Sequence, residues 1–331
     1  MDSDVSGGVT DGRRESAVVH RLEFDVPWPP KHVAAYLIDG PEPILIDAGG
    51  HESTTETTMA DALESVGFAP ADVEHVLVTH VHSDHIGQVD ALREAGATIY
   101  APGPAIERLE TDLETMREGA REMARVAGYP DGRIEEIVDA ESDSIRRDRR
   151  LLDPDETRAI DPDSPITVGG RRFRPIETPG HEMHHLCFET AVDDERLLFA
   201  GDALAKTFRV GAFHAGINRG AFEAVDATFE ALDRLADIDA VRGYPGHGPV
   251  FDEPQAVVDR TRQWLEDLLE ETADALEAVE PATPLSVAEE RVGEVEYYAP
   301  VLDSLGALGT LERRGIVAYD VEDGVRYYRT C

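Results

Sequence analysis

Thr79-His80-Val81-His82-Ser83-Asp84-His85 follows directly on the apolar run His75 to Val78. At the end of an extended strand, residues two apart project to the same side, so His80 and His82 converge on one point. A turn into a following helix lets Asp84 and His85 reach a neighbouring point. Imidazole nitrogens and a carboxylate oxygen are donors that suit zinc, and also iron, manganese or cobalt. The alternative for such a run, an exposed or pH-sensitive histidine cluster, needs no partners elsewhere in the chain.

Partners are present. Ile44-Leu45-Ile46-Asp47-Ala48-Gly49 ends an apolar run on a carboxylate, and Thr178-Pro179-Gly180-His181 ends another on an imidazole. Phe199-Ala200-Gly201-Asp202 and Tyr244-Pro245-Gly246-His247-Gly248 repeat the pattern with Asp202 and His247. Each polar group sits where a strand gives way to a loop, a usual place for a site on a rigid scaffold. These five motifs, in this order and at these approximate spacings, resemble those of the metallo-β-lactamase superfamily over about Ala17 to Asp252.

That resemblance implies a fold and a ligand set. The fold is α/β, an αββα sandwich. His80, His82 and His181 would hold a first metal ion and Asp84, His85 and His247 a second, with Asp202 bridging them and Asp47 orienting ligands from behind. The implied cofactor is two zinc ions per chain, with iron or manganese as alternatives, and the implied reaction is hydrolysis by a metal-bridged hydroxide. Asp84 also receives or orients a proton. His185, four positions after His181, is in such families a supporting residue. It and His184 are the candidates for substrate contact. His51 and His214 read as solvent-facing polar residues.

Composition narrows the partners. The chain has 68 acidic and 31 basic residues, a formal charge of -37, and its only lysines are Lys31 and Lys206. Such a surface repels phosphate backbones and anionic membranes in ordinary salt. Acidity spread through every segment suits molar salt, where screening shortens the repulsion, so a halophilic archaeon is the expected source. Cys187 and Cys331 are the only cysteines. Two thiols 144 residues apart form neither a disulfide framework nor a thiolate metal site. No apolar run of bilayer-crossing length and no signal peptide is seen, so a cytoplasmic location is expected.

Along the chain, residues 1–16 read as a mobile tail and 17–252 as the catalytic domain. Strands and helices alternate, and a helical insertion at about 103–155 is placed to cover a site. A long connecting helix, 253–280, leads to 281–331, where helix, helix and a hairpin around Asp323-Gly324 follow the order of a winged-helix-like module. A sandwich followed by such a module is similar to the lactamase-like thioesterase and endoribonuclease subgroup. From Pro281 onward, nine acidic residues face five arginines, without the basic stripe of a phosphate-binding surface. The module therefore reads first as an interaction or homodimerisation element and second as an RNA guide, RNA being disfavoured by charge, and Arg313-Arg314 reads as helix C-terminal charge. The expected activity is hydrolysis of a small-molecule thioester or ester, similar to hydroxyacylglutathione hydrolase. The alternatives are a metal-dependent endoribonuclease or phosphodiesterase, an iron-dependent oxidoreductase, and a non-catalytic binding protein.

Overall fold

The computed structural model describes residues 17–51, 55, 57–214, 219–295 and 297–331; the tail expected at 1–16 lies outside them. The first half of the chain supplies β1 (Val19–Asp25), β2 (His32–Ile38), β3 (Ile44–Ile46), α1 (Met59–Glu64), β4 (His75–Leu77), α2 (Val89–Glu94) and β5 (Thr98–Pro102). Then come α3 (Gly103–Leu109), α4 (Leu113–Val126), α5 (Asp131–Leu151) and β6 (Thr157–Ile160). The second half supplies β7 (Ile166–Val168), β8 (Arg171–Glu177), β9 (Leu186–Val192), β10 (Glu195–Gly201), α6 (Ala224–Ala236), β11 (Arg242–Pro245) and β12 (Phe251–Asp252). It ends with α7 (Pro254–Val279), α8 (Pro284–Val292), α9 (Ala299–Arg313), β13 (Val317–Glu322) and β14 (Val325–Thr330).

Two six-stranded sheets result, ordered β1-β2-β3-β4-β5-β6 and β12-β11-β10-β9-β8-β7. Strand periodicity explains why they stack with helices outside. In β2, Ala34, Tyr36 and Ile38 face the other sheet, while Val33, Ala35 and Leu37 face α1 and α2. In β10, Leu197 and Phe199 point between the sheets and Leu198 and Ala200 point outward. Strands buried on both faces carry near-continuous apolar runs, and the period of two divides each run between two cores. The layers are therefore helix, sheet, sheet, helix, as the motifs implied.

The predicted insertion is three helices. The helical periodicity read across 103–126 is interrupted at residues 110–112, where Asp112 caps α4 by accepting from the Thr115 backbone N–H. Ala105, Ile106 and Leu109 of α3 join the outer core of the first sheet, whereas Ala120, Met123 and Ala124 of α4 join that of the second. The insertion thus straddles the two halves of the sandwich.

The C-terminal segment has the expected order, and its Asp323-Gly324 turn has the positive φ values, 52° and 84°, of a two-residue hairpin. The core nevertheless runs straight through the expected boundary at 280/281. Val257, Leu265 and Leu276 of α7, Val287 of α8, Leu305 and Leu308 of α9, and Tyr328 share one apolar cluster with Leu198 of the second sheet. Helix α7 is thus a packed member of the outer layer rather than a spacer. Arg313 and Arg314 do more than end a helix: Arg313 pairs with Asp226 and Arg314 with Glu266 at 3.0 Å. Among the described residues no helix is long and apolar enough to cross a membrane.

Candidate metal centre

Five backbone junctions build the site. Strands β3 and β4 run parallel, as do β10 and β11, so within each pair the C-terminal ends lie side by side. Asp47 follows β3, the His80–His85 run follows β4, Asp202 follows β10 and His247 follows β11. His181 follows β8, whose neighbour β9 lies beside β10. Asp47 adopts a left-handed φ of 61°, which turns its carboxylate back under the histidines.

The predicted ligands converge. His82 Nδ1 lies 3.2 Å from His80 Nε2 and 3.0 Å from His181 Nε2. Ligand atoms roughly 2.0–2.1 Å from a tetrahedral zinc ion are roughly 3.3 Å apart, so these separations fit the edges of a coordination polyhedron. Asp202 Oδ2 is 3.3 Å from both His181 Nε2 and His247 Nε2, and its Oδ1 is 3.4 Å from His85 Nε2. Asp84 Oδ2 lies 3.4 Å from His247 Nε2. Three groups form, His80/His82/His181, His80/His85/Asp202 and Asp84/His85/His247, each with ligand atoms within 4.8 Å of one another.

The outer hydrogen bonds show that these nitrogens point lone pairs inward. His181 Nδ1 faces the Gly211 carbonyl at 3.0 Å and His247 Nδ1 the His32 carbonyl at 2.6 Å. A carbonyl only accepts, so each Nδ1 carries the proton and a neutral ring leaves Nε2 bare. Thr79 Oγ1 gives its single proton to Asp47 Oδ2, 2.9 Å away, and so accepts from His80 Nδ1 at 3.0 Å, which bares His80 Nε2 as well. His85 Nδ1 donates to Asp47 at 2.9 Å. Buried lone pairs facing one another require a cation, and His85 Nε2 and Asp202 Oδ1 are buried without a hydrogen-bond partner. The donor set therefore fits divalent metal.

Charge divides the centre. Burial, with the neighbouring imidazoles, holds His80 well below its ordinary pKa and His82 at about 3. Burial also pulls on His85 and His247, yet Asp202 with Asp47 raises His85 well above the ordinary value, and Asp202 with Asp84 raises His247 to about 10. Without metal, protons on these two rings neutralise the carboxylates. Desolvation pushes Asp84 up, but His247 and His85 outweigh it and hold the carboxyl below its ordinary range.

The pattern of the metallo-beta-lactamase superfamily matches residues 28–247, about two thirds of the chain and all of these ligands. The chain belongs to that superfamily. It is 26% identical over 230 residues to the beta-lactamase-like protein 2 homolog of Caenorhabditis elegans, covering 69% of this chain and 58% of that protein. It is 24% identical over 322 residues to the probable metallo-hydrolase YqjP of Bacillus subtilis, covering 93% and 97%. It is 25% identical over 221 residues to the atrochrysone carboxyl ACP thioesterase of Aspergillus fumigatus, covering 67% and 52%. The chain spans a little over half the length of the first of these relatives. In fold it is similar to the crystal structure of a metallo-beta-lactamase family protein, TTHA1429, from Thermus thermophilus. The TM-score there is 0.78 at 22% identity, over 95% of this chain and 98% of that one.

Around the candidate ligands of this metallo-β-lactamase superfamily member, the remaining histidines sort by burial. His185 is 1% exposed and both its ring nitrogens are engaged: Nδ1 with Thr178 Oγ1 at 2.7 Å, Nε2 accepting from the Asp202 backbone N–H at 3.0 Å. It positions Asp202 and has no ring nitrogen left for a substrate, so the substrate-contact candidacy is corrected to support. His184 is half-buried and its backbone N–H bonds Glu182. His214, expected at the surface, is buried, with Nδ1 bonded to the Gly220 carbonyl at 2.7 Å and its N–H to the carbonyl of Gly180, next to His181. His51, also expected in solvent, is half-buried.

Sequence reasoning missed His32. Its carbonyl accepts from His247, and its Nε2 accepts from the Gly248 N–H at 3.0 Å, so one residue of β2 clamps the last ligand loop. Glycine at 246 is dictated by space, since a Cβ there would lie 2.4 Å from Asp202 Oδ1.

Above the ligands lies a cavity of about 860 Å³, reached by His82, Asp84, His181, Asp202 and His247. Its walls are mainly apolar. Trp28 stands beside β2, Leu109 and Met116 come from the insertion, Phe208 and Phe213 from the loop after β10, and Leu302 from α9. Both the insertion and the C-terminal segment therefore shape the approach to the ligands.

Proposed function

We propose that this chain is a hydrolase with two zinc ions, acting on a small-molecule thioester or ester. The observation that carries the reading is the cavity in which the inward-facing ligand atoms lie beside largely apolar walls. A cavity of this size suits a small-molecule acyl compound. The relative named as an atrochrysone carboxyl ACP thioesterase supports the same class.

His80, His82 and His181 would hold one ion and Asp84, His85 and His247 the other, with Asp202 between them. When bound, divalent cations in such a cradle polarise the group under attack and lower the pKa of water toward neutrality. The protein's own side chains do the rest. Asp84 faces the cavity as a carboxylate and accepts the proton released as water adds to the acyl carbon. The carbon–sulfur or carbon–oxygen bond then breaks, and the thiol or alcohol leaves with a proton. Thr79, Asp47 and His32 keep the ring protons on the outer nitrogens, so the lone pairs stay aimed inward. The apolar walls exclude competing water from the acyl group.

The test is elemental analysis of the purified chain with a chelator-controlled screen of thioesters, esters, lactones, phosphodiesters and RNA. About two zinc ions per chain and chelator-sensitive thioester or ester turnover are expected. Turnover of RNA or a phosphodiester alone would replace the acyl reading. Iron without hydrolysis would overturn both.

A further inference from the structure

We propose that the acyl part of the substrate is a long unbranched apolar chain, and that its far end lies in a second cavity between α4 and α5. This rests on the hydrolase reading for the position of the reacting carbonyl. The second cavity, about 410 Å³, shares Arg108, Met116, Glu141 and Ile145 with the first as a common wall, and none of the seven ligand residues reaches it. The two spaces thus adjoin at these four residues, the second lying on the side away from the ligands. Its apolar surface comes from Met116, Ala120, Ile145 and Met183.

Among the charged groups lining this junction, the carboxylates Glu118 and Glu141 would repel an anionic substrate end, and the two arginines are already engaged. Arg108 donates to the buried Glu182 at 2.9 Å, and Arg117 donates to Asp139 at 2.9 Å and Ser142 at 2.8 Å. Neither is set up to receive an anionic substrate end. For a ligand that spans the two spaces, the proposed passage runs past the apolar Met116 and Ile145, and the unbranched thioether of Met116 adapts to a slender chain. A polymethylene chain suits that passage; a charged group would lose its hydration without a partner.

Gly119 carries the argument further. It lies inside α4, lines the second cavity, and a Cβ built there has no other atom within 4 Å. Glycine inside a helix costs about 1 kcal/mol relative to alanine, and neither a turn nor a close approach requires it here. Its structural effect is open space at the end of the passage.

The experiment is a chain-length series of acyl N-acetylcysteamine thioesters, from four to sixteen carbons, on the zinc-loaded full chain and its Gly119→Leu variant. Binding of dodecanoate and butyrate is measured in parallel by calorimetry. Leucine favours the helix, so thermal unfolding of the variant should match or exceed the parent. In the parent, kcat/KM is expected to rise by up to about fourfold per added methylene until the second cavity is filled. In Gly119→Leu, long-chain kcat/KM should fall about tenfold or more while the four-carbon value stays unchanged, and dodecanoate binding should weaken while butyrate binding does not. Equal effects on short and long chains, or none, would overturn the proposal. If neither these thioesters nor the corresponding esters turn over yet dodecanoate binding depends on Gly119, the subsite stands and the hydrolase reading fails.

Discussion

Arg209 and Asp303 form a two-pronged ion pair, Nη1 to Oδ1 at 3.1 Å and Nη2 to Oδ2 at 2.7 Å, that fastens α9 to the loop after β10. Asp303 Oδ1 also accepts from the Ala212 N–H at 3.2 Å, and the residue before it, Gly211, accepts from the ligand His181. The last helix thereby holds the residue that fixes the tautomer and orientation of His181.

Replacing Asp303 with alanine should weaken zinc binding about 10- to 100-fold, the usual effect of losing an outer support, and destabilise the chain by about 2 kcal/mol. Competition titration against a chromophoric chelator reads the first and urea unfolding the second. Lost stability with intact zinc affinity would show that His181 is held without α9.

At Gly246 an added methyl meets Asp202 Oδ1 at 2.4 Å and His85 Cε1 at 2.5 Å. Gly246→Ala should therefore push the shared carboxylate out of place, and elemental analysis should find less metal than in the parent. Gly119→Leu, which meets open space, should retain the full complement. Equal metal in all three proteins would count against Asp202 as a shared ligand.

Asp148, at the cavity wall on α5, is buried, and desolvation pushes its pKa from 3.8 to about 6 despite Arg147 beside it. The folded state thus favours the neutral acid. The contribution to stability is complete below the unfolded value near 4 and is lost as pH rises through about 6. Asp148→Asn should flatten that dependence and raise stability at pH 7 by about 1–3 kcal/mol. Urea midpoints from pH 4 to 8 decide the matter, and an unchanged slope would mean that Asp148 is ionised in the fold at no cost.

How much was readable beforehand depended on distance along the chain. The seven candidate ligands announced themselves because four of them crowd into one short motif after β4 and the others close short motifs at strand ends, patterns contained in a few residues. The clamps left no such trace. His32 acts on a residue 215 positions away and Asp303 on one 94 positions away, pairings that only the sheet order and the packing of α9 create. His214 misled for the same reason: a polar residue beside Gly-rich sequence looks exposed until the Gly180 and Gly220 carbonyls close on it. The break between α3 and α4 was locally encoded, in Asp112 and Thr115, but a continuous apolar spacing masked it.

The charge of -37 makes the fold sensitive to salt. The melting temperature should climb as KCl rises from 0.1 to 1 M, because the screening length falls from about 10 Å to about 3 Å. A flat curve would show that the many surface arginine pairs already absorb the repulsion.

Each of the three ligand groups takes at least one member from residue 181 or beyond. During synthesis, the histidine-rich run near residue 80 leaves the ribosome long before any complete group exists, and the last waits for His247. On the proposed ligand set, metal capture would therefore be a late checkpoint in the life of the chain. A nascent or truncated product could display the four candidate ligands of the first half without completing any of the three groups, so loading itself would certify that both halves have been made and joined.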